Sequence, residues 1–100
     1  MHVMALFLFL FVIGCGAQPA PHMMGAKRYE VQRGGFTFVV FKKGLWVEVV
    51  RLGWARPGQH QAIRAMMVDV IPEVTGCTII PASLTGDSGE MRGELHCRSP

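Results

Sequence analysis

Three cysteines, four histidines and a serine held in the run Gly86-Asp87-Ser88-Gly89 are the residues of this 100-residue chain whose types can carry chemistry. A serine becomes a nucleophile only with a base in hydrogen-bond reach and donors for the developing oxyanion. His60 and His96 are the bases on offer, and His60 has no carboxylate three or four residues on to orient it. His22-Met23-Met24 presents soft donors of the kind that take Cu(I), but adjacent donors on a Pro- and Gly-rich stretch fix no geometry. The chain has no paired carboxylates, phosphate-cradling glycine loop or zinc-ligand spacing. No catalytic residue, metal or cofactor is assigned on this reading.

Cys15 has a different context. Eleven uncharged apolar residues, Val3 to Ile13, precede Gly14-Cys15. As a helix they would span about 17 Å, roughly half of a bilayer's hydrocarbon. That length suits the apolar region of an export signal better than a membrane span. Val12-Ile13-Gly14-Cys15 resembles the lipobox of bacterial lipoproteins. The resemblance covers the signal alone. It implies diacylglyceryl transfer to the Cys15 thiol, cleavage after Gly14 and acylation of the new amino terminus. Gly16 stands where an inner-membrane retention aspartate occurs in that family, so the resemblance points to the outer membrane. The domains expected are a signal over 1–14, a lipid-anchored tether over 15–26 and a folded domain over 27–100. A conventional cleavage after Ala17, releasing a soluble periplasmic or secreted protein, is the second reading. It stays open because the start of the chain carries only His2 and the amino terminus as cations.

Either route resolves an odd cysteine count, because lipidation occupies Cys15 and conventional cleavage discards it. Cys77 and Cys97 then remain as a pair in an oxidising compartment. Thr85-Gly86-Asp87-Ser88-Gly89 is a dense turn signal between Thr78–Leu84 and Glu90–Cys97. Folded about Asp87, the two stretches set Cys77 opposite Cys97, with Cys77, Ile79, Leu95 and Met91 on a common face. Residues directly opposed in an antiparallel pair lie within disulfide range. Gly86-Asp87-Ser88-Gly89 is also similar to the run around the nucleophile of chymotrypsin-like proteases. That likeness ends at Glu90, the chain is too short for the two barrels of that family, and a hairpin turn accounts for the same residues.

The elements that position these groups follow from hydrophobic period. Tyr29–Arg33 alternates, Gly34-Gly35 marks a turn, and Phe36–Phe41 and Leu45–Leu52 are β-branched and aromatic runs around Lys42-Lys43-Gly44. Ile63, Met66, Met67, Val70, Ile71 and Val74 fall on one helical stripe. Pro57 fits the first turn of that helix, Gly76 its end, and Pro72 is expected to bend or stop it. The order β-β-β-α-β-β predicts an α+β domain, a small antiparallel sheet with one helix packed on one face.

With Phe41 set opposite Leu45, one sheet face carries Thr37, Val39, Phe41, Leu45, Val47 and Val49. The other carries Phe36, Phe38, Val40, Trp46, Glu48 and Val50. Both are apolar, and one helix covers one face. The second calls for the C-terminal hairpin folding over it, a homodimer, an envelope partner or the membrane surface.

The formal charge of +3 is unevenly placed. Residues 25–64 hold Lys27, Arg28, Arg33, Lys42, Lys43, Arg51, Arg56 and Arg64 against Glu30 and Glu48, while residues 65–100 are acidic on balance. Beside a lipid anchor, Lys27, Arg28, Lys42 and Lys43 are candidates for contact with anionic headgroups. Export and the lack of a base-reading motif argue against nucleic acid as a partner. The expected function is a small lipid-anchored envelope protein, facing the periplasm, that acts as a binding or structural module and not as an enzyme. A secreted inhibitor presenting the Lys42-Lys43-Gly44 or 85–89 loop is the alternative, and a small hydrolase the third.

Overall fold

The computed structural model describes residues 21–98 of the chain. The signal segment 1–14 and the lipidation position Cys15 lie outside the described residues.

Alternating β-branched and aromatic residues form an antiparallel sheet from β1 (Lys27–Arg33), β2 (Phe36–Lys43) and β3 (Trp46–Leu52). Helix α1 (His60–Thr75) follows, then β4 (Thr78–Ile79), β5 (Thr85–Gly86) and β6 (Glu90–His96). The six strands lie in the order β1-β2-β3-β6-β4, with β5 also pairing β6. The domain is α+β, as expected. The C-terminal hairpin does not fold over the sheet but extends it, β6 running antiparallel beside β3.

The register of the central hairpin differs from expectation. Lys43 pairs with Trp46 and Phe41 with Glu48, so the loop has two residues, Gly44 and Leu45. Gly44 has φ 60° while no non-glycine residue among those described has a positive φ, which is the type II′ pattern. The shift relative to Phe41 opposite Leu45 is an odd number of residues, and an odd shift exchanges the faces of one strand against the other. Phe36, Phe38 and Val40 therefore share a face with Val47 and Val49, not with Trp46, Glu48 and Val50.

Helix α1 covers that first face. Ile63, Met67, Val70 and Ile71 are buried against Phe38, Val40, Val47, Val49, Met91 and Leu95, with Met66 and Val74 packed at the margin. Burial of the Met67 side chain alone is worth about 2 kcal/mol. The helix begins at His60, so Pro57 lies in the turn before it and not in its first turn. It continues through Pro72 to Thr75, one turn past the expected break, and Gly76 closes it by donating to the Pro72 carbonyl at 2.9 Å. Thr75 Oγ1 accepts from the Cys77 N–H at 3.0 Å, steering the chain into β4.

The second face is covered from upstream. Met23, in a 3-10 turn over Pro21–Met23, is 1% exposed and packs with Val39 and Phe41, bordered by Ala26, Val50 and Leu52. Part of the stretch read as a tether is thus packed on the sheet, and the Met23 thioether is core rather than a free ligand.

Cys77 and Cys97 are disulfide-bonded with Cα atoms 4.5 Å apart. The expected register holds beside the bond, Thr78 pairing His96 and Ile79 pairing Leu95. It then breaks: a 3-10 turn over Pro81–Ser83 absorbs residues, so that Thr85 pairs Arg92 and Gly86 pairs Met91. Of the predicted strand 78–84 only Thr78–Ile79 is strand, and Thr85–Gly86, expected in the turn, forms β5.

Candidate functional site

The break between β4 and β6 decides where Ser88 goes. Asp87 Oδ1 accepts the N–H groups of Gly89 at 2.8 Å and Glu90 at 3.2 Å, and the Asp87 N–H donates to the Glu90 carbonyl at 2.8 Å. These bonds close the loop between β5 and β6 and hold the Asp87 carboxyl below its ordinary value. Burial opposes that lowering, and the Arg51 and Arg64 charges add to it. At Gly86 (φ 105°) a Cβ would run into the Glu90 carbonyl and the Met91 Cα, so this loop can leave β5 only at a glycine.

β3 grips the loop from its other side. The Arg51 N–H donates to the Gly89 carbonyl at 3.0 Å, and Arg51 Nη1 donates to the Ser88 carbonyl at 2.8 Å and to Ser88 Oγ at 3.4 Å. Ser88 is left 7% exposed. Its Oγ shares a hydrogen bond of 2.5 Å with His60 Nδ1, at the first residue of α1. Gln59, next to it, spends its side chain on the Arg56 N–H at 2.8 Å instead of capping the helix. Arg51, His60, Arg64, Asp87, Ser88 and Gly89 line a cavity of about 500 Å³.

The arrangement can bind an anion. Two guanidinium groups and an imidazole face one carboxylate whose Oδ1 is already engaged, and the first N–H groups of α1 lie at the same place. It also sets a serine hydroxyl against an imidazole, the contact a nucleophile needs. The rest of a hydrolytic centre is not assembled around it. The Gly89 and Glu90 N–H groups point to Asp87 Oδ1 rather than to a position above Ser88. Among the described residues no carboxylate bonds the His60 ring.

The sequence marks His60 only as a base without an orienting carboxylate, and Ser88 as part of a turn. The structure joins them across 28 residues and adds Arg51 and Arg64, which no local motif marked. His96 lies at the other end of β6, opposite Thr78, and takes no part. The cations Lys27 and Lys42 pair across β1 and β2, Arg28 pairs Phe41 and reaches Glu30 at 3.4 Å, and Lys43 pairs Trp46. They gather at the far end of the sheet from Ser88. Among the described residues no group of three His, Cys, Asp or Glu side chains is placed to hold a metal ion, and no helix is long and apolar enough to cross a membrane.

A second acidic feature was not foreseen. Glu48, 3% exposed, lies on the second sheet face beside Glu90. Burial, then a hydrogen bond with the Glu48 side chain, pushes the Glu90 carboxyl up, against the Arg92 charge 3.5 Å away. No family model matches this chain, and no curated protein or solved structure does either.

Proposed function

We propose that this chain is a small exported, lipid-anchored envelope protein that works as a binding module, its cleft taking an anionic group of a solute or partner. The lipobox-like run Val12–Cys15 supports the anchor, and the Cys77–Cys97 bond suits an oxidising compartment. The observation that carries the binding reading is the convergence of Arg51, Arg64 and His60 on one cavity over Ser88. Arg51 Nε is buried with no hydrogen-bond partner among the described residues, and a buried guanidinium N–H is a donor that a carboxylate or phosphate satisfies.

Two measurements test the two halves. The mass of the mature amino terminus reports whether Cys15 is retained and acylated; an unmodified or absent Cys15 removes the anchor. Titration with inorganic phosphate and with acetate, followed by amide shifts, should move Arg51, His60 and residues 87–89 together. Shifts scattered over all cations would remove the cleft.

The 2.5 Å contact between Ser88 and His60 favours a second reading, a serine hydrolase. It requires the Arg51 guanidinium to replace backbone oxyanion donors that the loop has already engaged. Burst release from an activated ester, lost in Ser88→Ala, would establish it. The inhibitor alternative draws less support. The Lys43–Trp46 loop is a tight two-residue turn, and residues 85–89 are held down by Arg51 instead of projecting.

A further inference from the structure

The end of the sheet farthest from the cleft carries its own signature. Met24 is 63% exposed, Leu45 51% and Trp46 54%, three large apolar side chains within one turn and the segment beside it. Lys27 and Lys42 are paired across β1 and β2 at this end, and Lys43 is paired with Trp46. Lys43 Nζ donates to the Met24 carbonyl at 3.1 Å, which fixes the 21–26 segment against the hairpin. The Leu45 carbonyl accepts from the Leu95 N–H, so the turn is held to β6 and its apolar tip stays presented. Glu94, opposite Trp46, is the nearest acidic partner in the register.

We infer that this hairpin end, where Met24, Leu45 and Trp46 stand exposed, with Lys43 on the same sheet face as Trp46 and Lys27 and Lys42 flanking the end from the other face, docks on an anionic phospholipid surface. Tryptophan and lysine divide an interface between them. The indole sits at headgroup depth with its N–H wet, and the ammonium groups reach anionic phosphates from long apolar stems. A second copy of the chain is a poor occupant, because a two-fold contact through this end would bring lysines against lysines. The geometry agrees with the anchor proposed above, on which this inference rests. Five residues separate Cys15 from Pro21, a distance of six Cα steps with a reach of at most about 22 Å when extended. An acylated Cys15 therefore keeps Met24 and the hairpin close to the headgroups.

The two tryptophans provide the test. Trp54, 96% exposed, follows the far end of β3, whose length sets it more than about 20 Å from Trp46. The mature chain from position 15, carrying Cys15→Ser and so neither the apolar signal nor an acyl anchor, is prepared in two forms: with Trp54→Phe, leaving Trp46 as reporter, and with Trp46→Phe, leaving Trp54. Each is mixed with vesicles of brominated phosphatidylglycerol or brominated phosphatidylcholine. Trp46 emission should shift blue and be quenched by phosphatidylglycerol only, with Trp54 unchanged. Lys27→Gln and Lys42→Gln should each weaken the partitioning by about fivefold at low salt. Equal responses of the two tryptophans, no response of Trp46, or the same response with phosphatidylcholine would overturn the inference. So would shielding of Trp46 in concentrated protein without vesicles, which would identify a second copy as the occupant. Failure of the lipid anchor itself appears in the amino-terminal mass and leaves these readings unaffected.

Discussion

Arg51→Met separates the two tasks that the structure gives Arg51. The substitution keeps an apolar stem and removes the guanidinium. Ser88, 7% exposed, then loses the donor to its carbonyl at 2.8 Å and the longer bond to its hydroxyl at 3.4 Å. A hydrogen bond involving a charged group contributes about 1.5–3 kcal/mol. Arg51 is only partly buried and its second bond is long, so about 1.5 kcal/mol is the expected loss of stability. For a domain of this size that lowers the melting temperature by about 6–12 °C. Arg64→Met is the matched control: Arg64 is exposed and lines the same cavity, so its removal should change stability by less than about 0.5 kcal/mol. Both variants should weaken phosphate binding, Arg64→Met by about tenfold for one lost charge-assisted contact. Thermal unfolding by circular dichroism reads the first quantity and calorimetric titration with phosphate the second. If Arg51→Met leaves the melting temperature unchanged, the Asp87–Gly89 loop is not held by Arg51. If Arg64→Met leaves phosphate affinity unchanged, the cleft is not the anion site.

Three further outcomes follow from the same geometry. The double variant Cys77→Ser, Cys97→Ser opens a loop with a sequence separation of 20 and should lose about 3 kcal/mol; free thiols at both positions in a non-reduced peptide map would contradict the bond. Gly86→Ala forces a Cβ into the Glu90 backbone at φ 105° and should cost about 2 kcal/mol or more, with the His60 and Ser88 amide resonances displaced; an unchanged melting temperature would show that the loop leaves β5 differently. Glu90→Gln tests the raised carboxyl. A carboxyl held above its unfolded value favours folding while protonated, and that contribution is lost as pH rises through the folded value. The variant should therefore melt higher than the parent at pH 7–8 and equal it in acid; a difference independent of pH would refute the Glu48–Glu90 contact.

Strand identity, the helical stripe from Ile63 to Val74 and the Cys77–Cys97 pairing were legible because each rests on a local period or on parity. Side-chain alternation along β2 was legible for the same reason. Its alignment against β3 was not, since the sequence Lys42-Lys43-Gly44-Leu45 permits loops of two or three residues and only the closed sheet selects one. The cover of the second face was hidden because Met23 lies in a stretch of Pro and Gly with no period, and burial of a single side chain leaves no pattern. The Ser88–His60 contact was illegible for a different reason. It joins the turn before β6 to the start of α1, and it depends on the Pro81–Ser83 turn shortening the pairing by three residues.

One residue count links the fold to the cleft. Arg51 lies on the same face of β3 as Val47 and Val49, whatever the loop before that strand. Helix α1 packs on Phe38 and Val40 of β2. Had Phe41 faced Leu45, those β2 residues would have shared a face with Trp46, Glu48 and Val50, and the helix would have closed over them. Arg51 would then have pointed away from α1, out of reach of Ser88, with His60 left to solvent. The same exchange would have set Trp46 and the buried Glu48 on the helix side of the sheet. Gly44, by admitting a two-residue loop, thus sets Arg51 toward the anion cleft at one end of β3 and Trp46 toward the opposite face at the other. An odd-length change in that loop should abolish both features together, whereas the Cys77–Cys97 disulfide is indifferent to it.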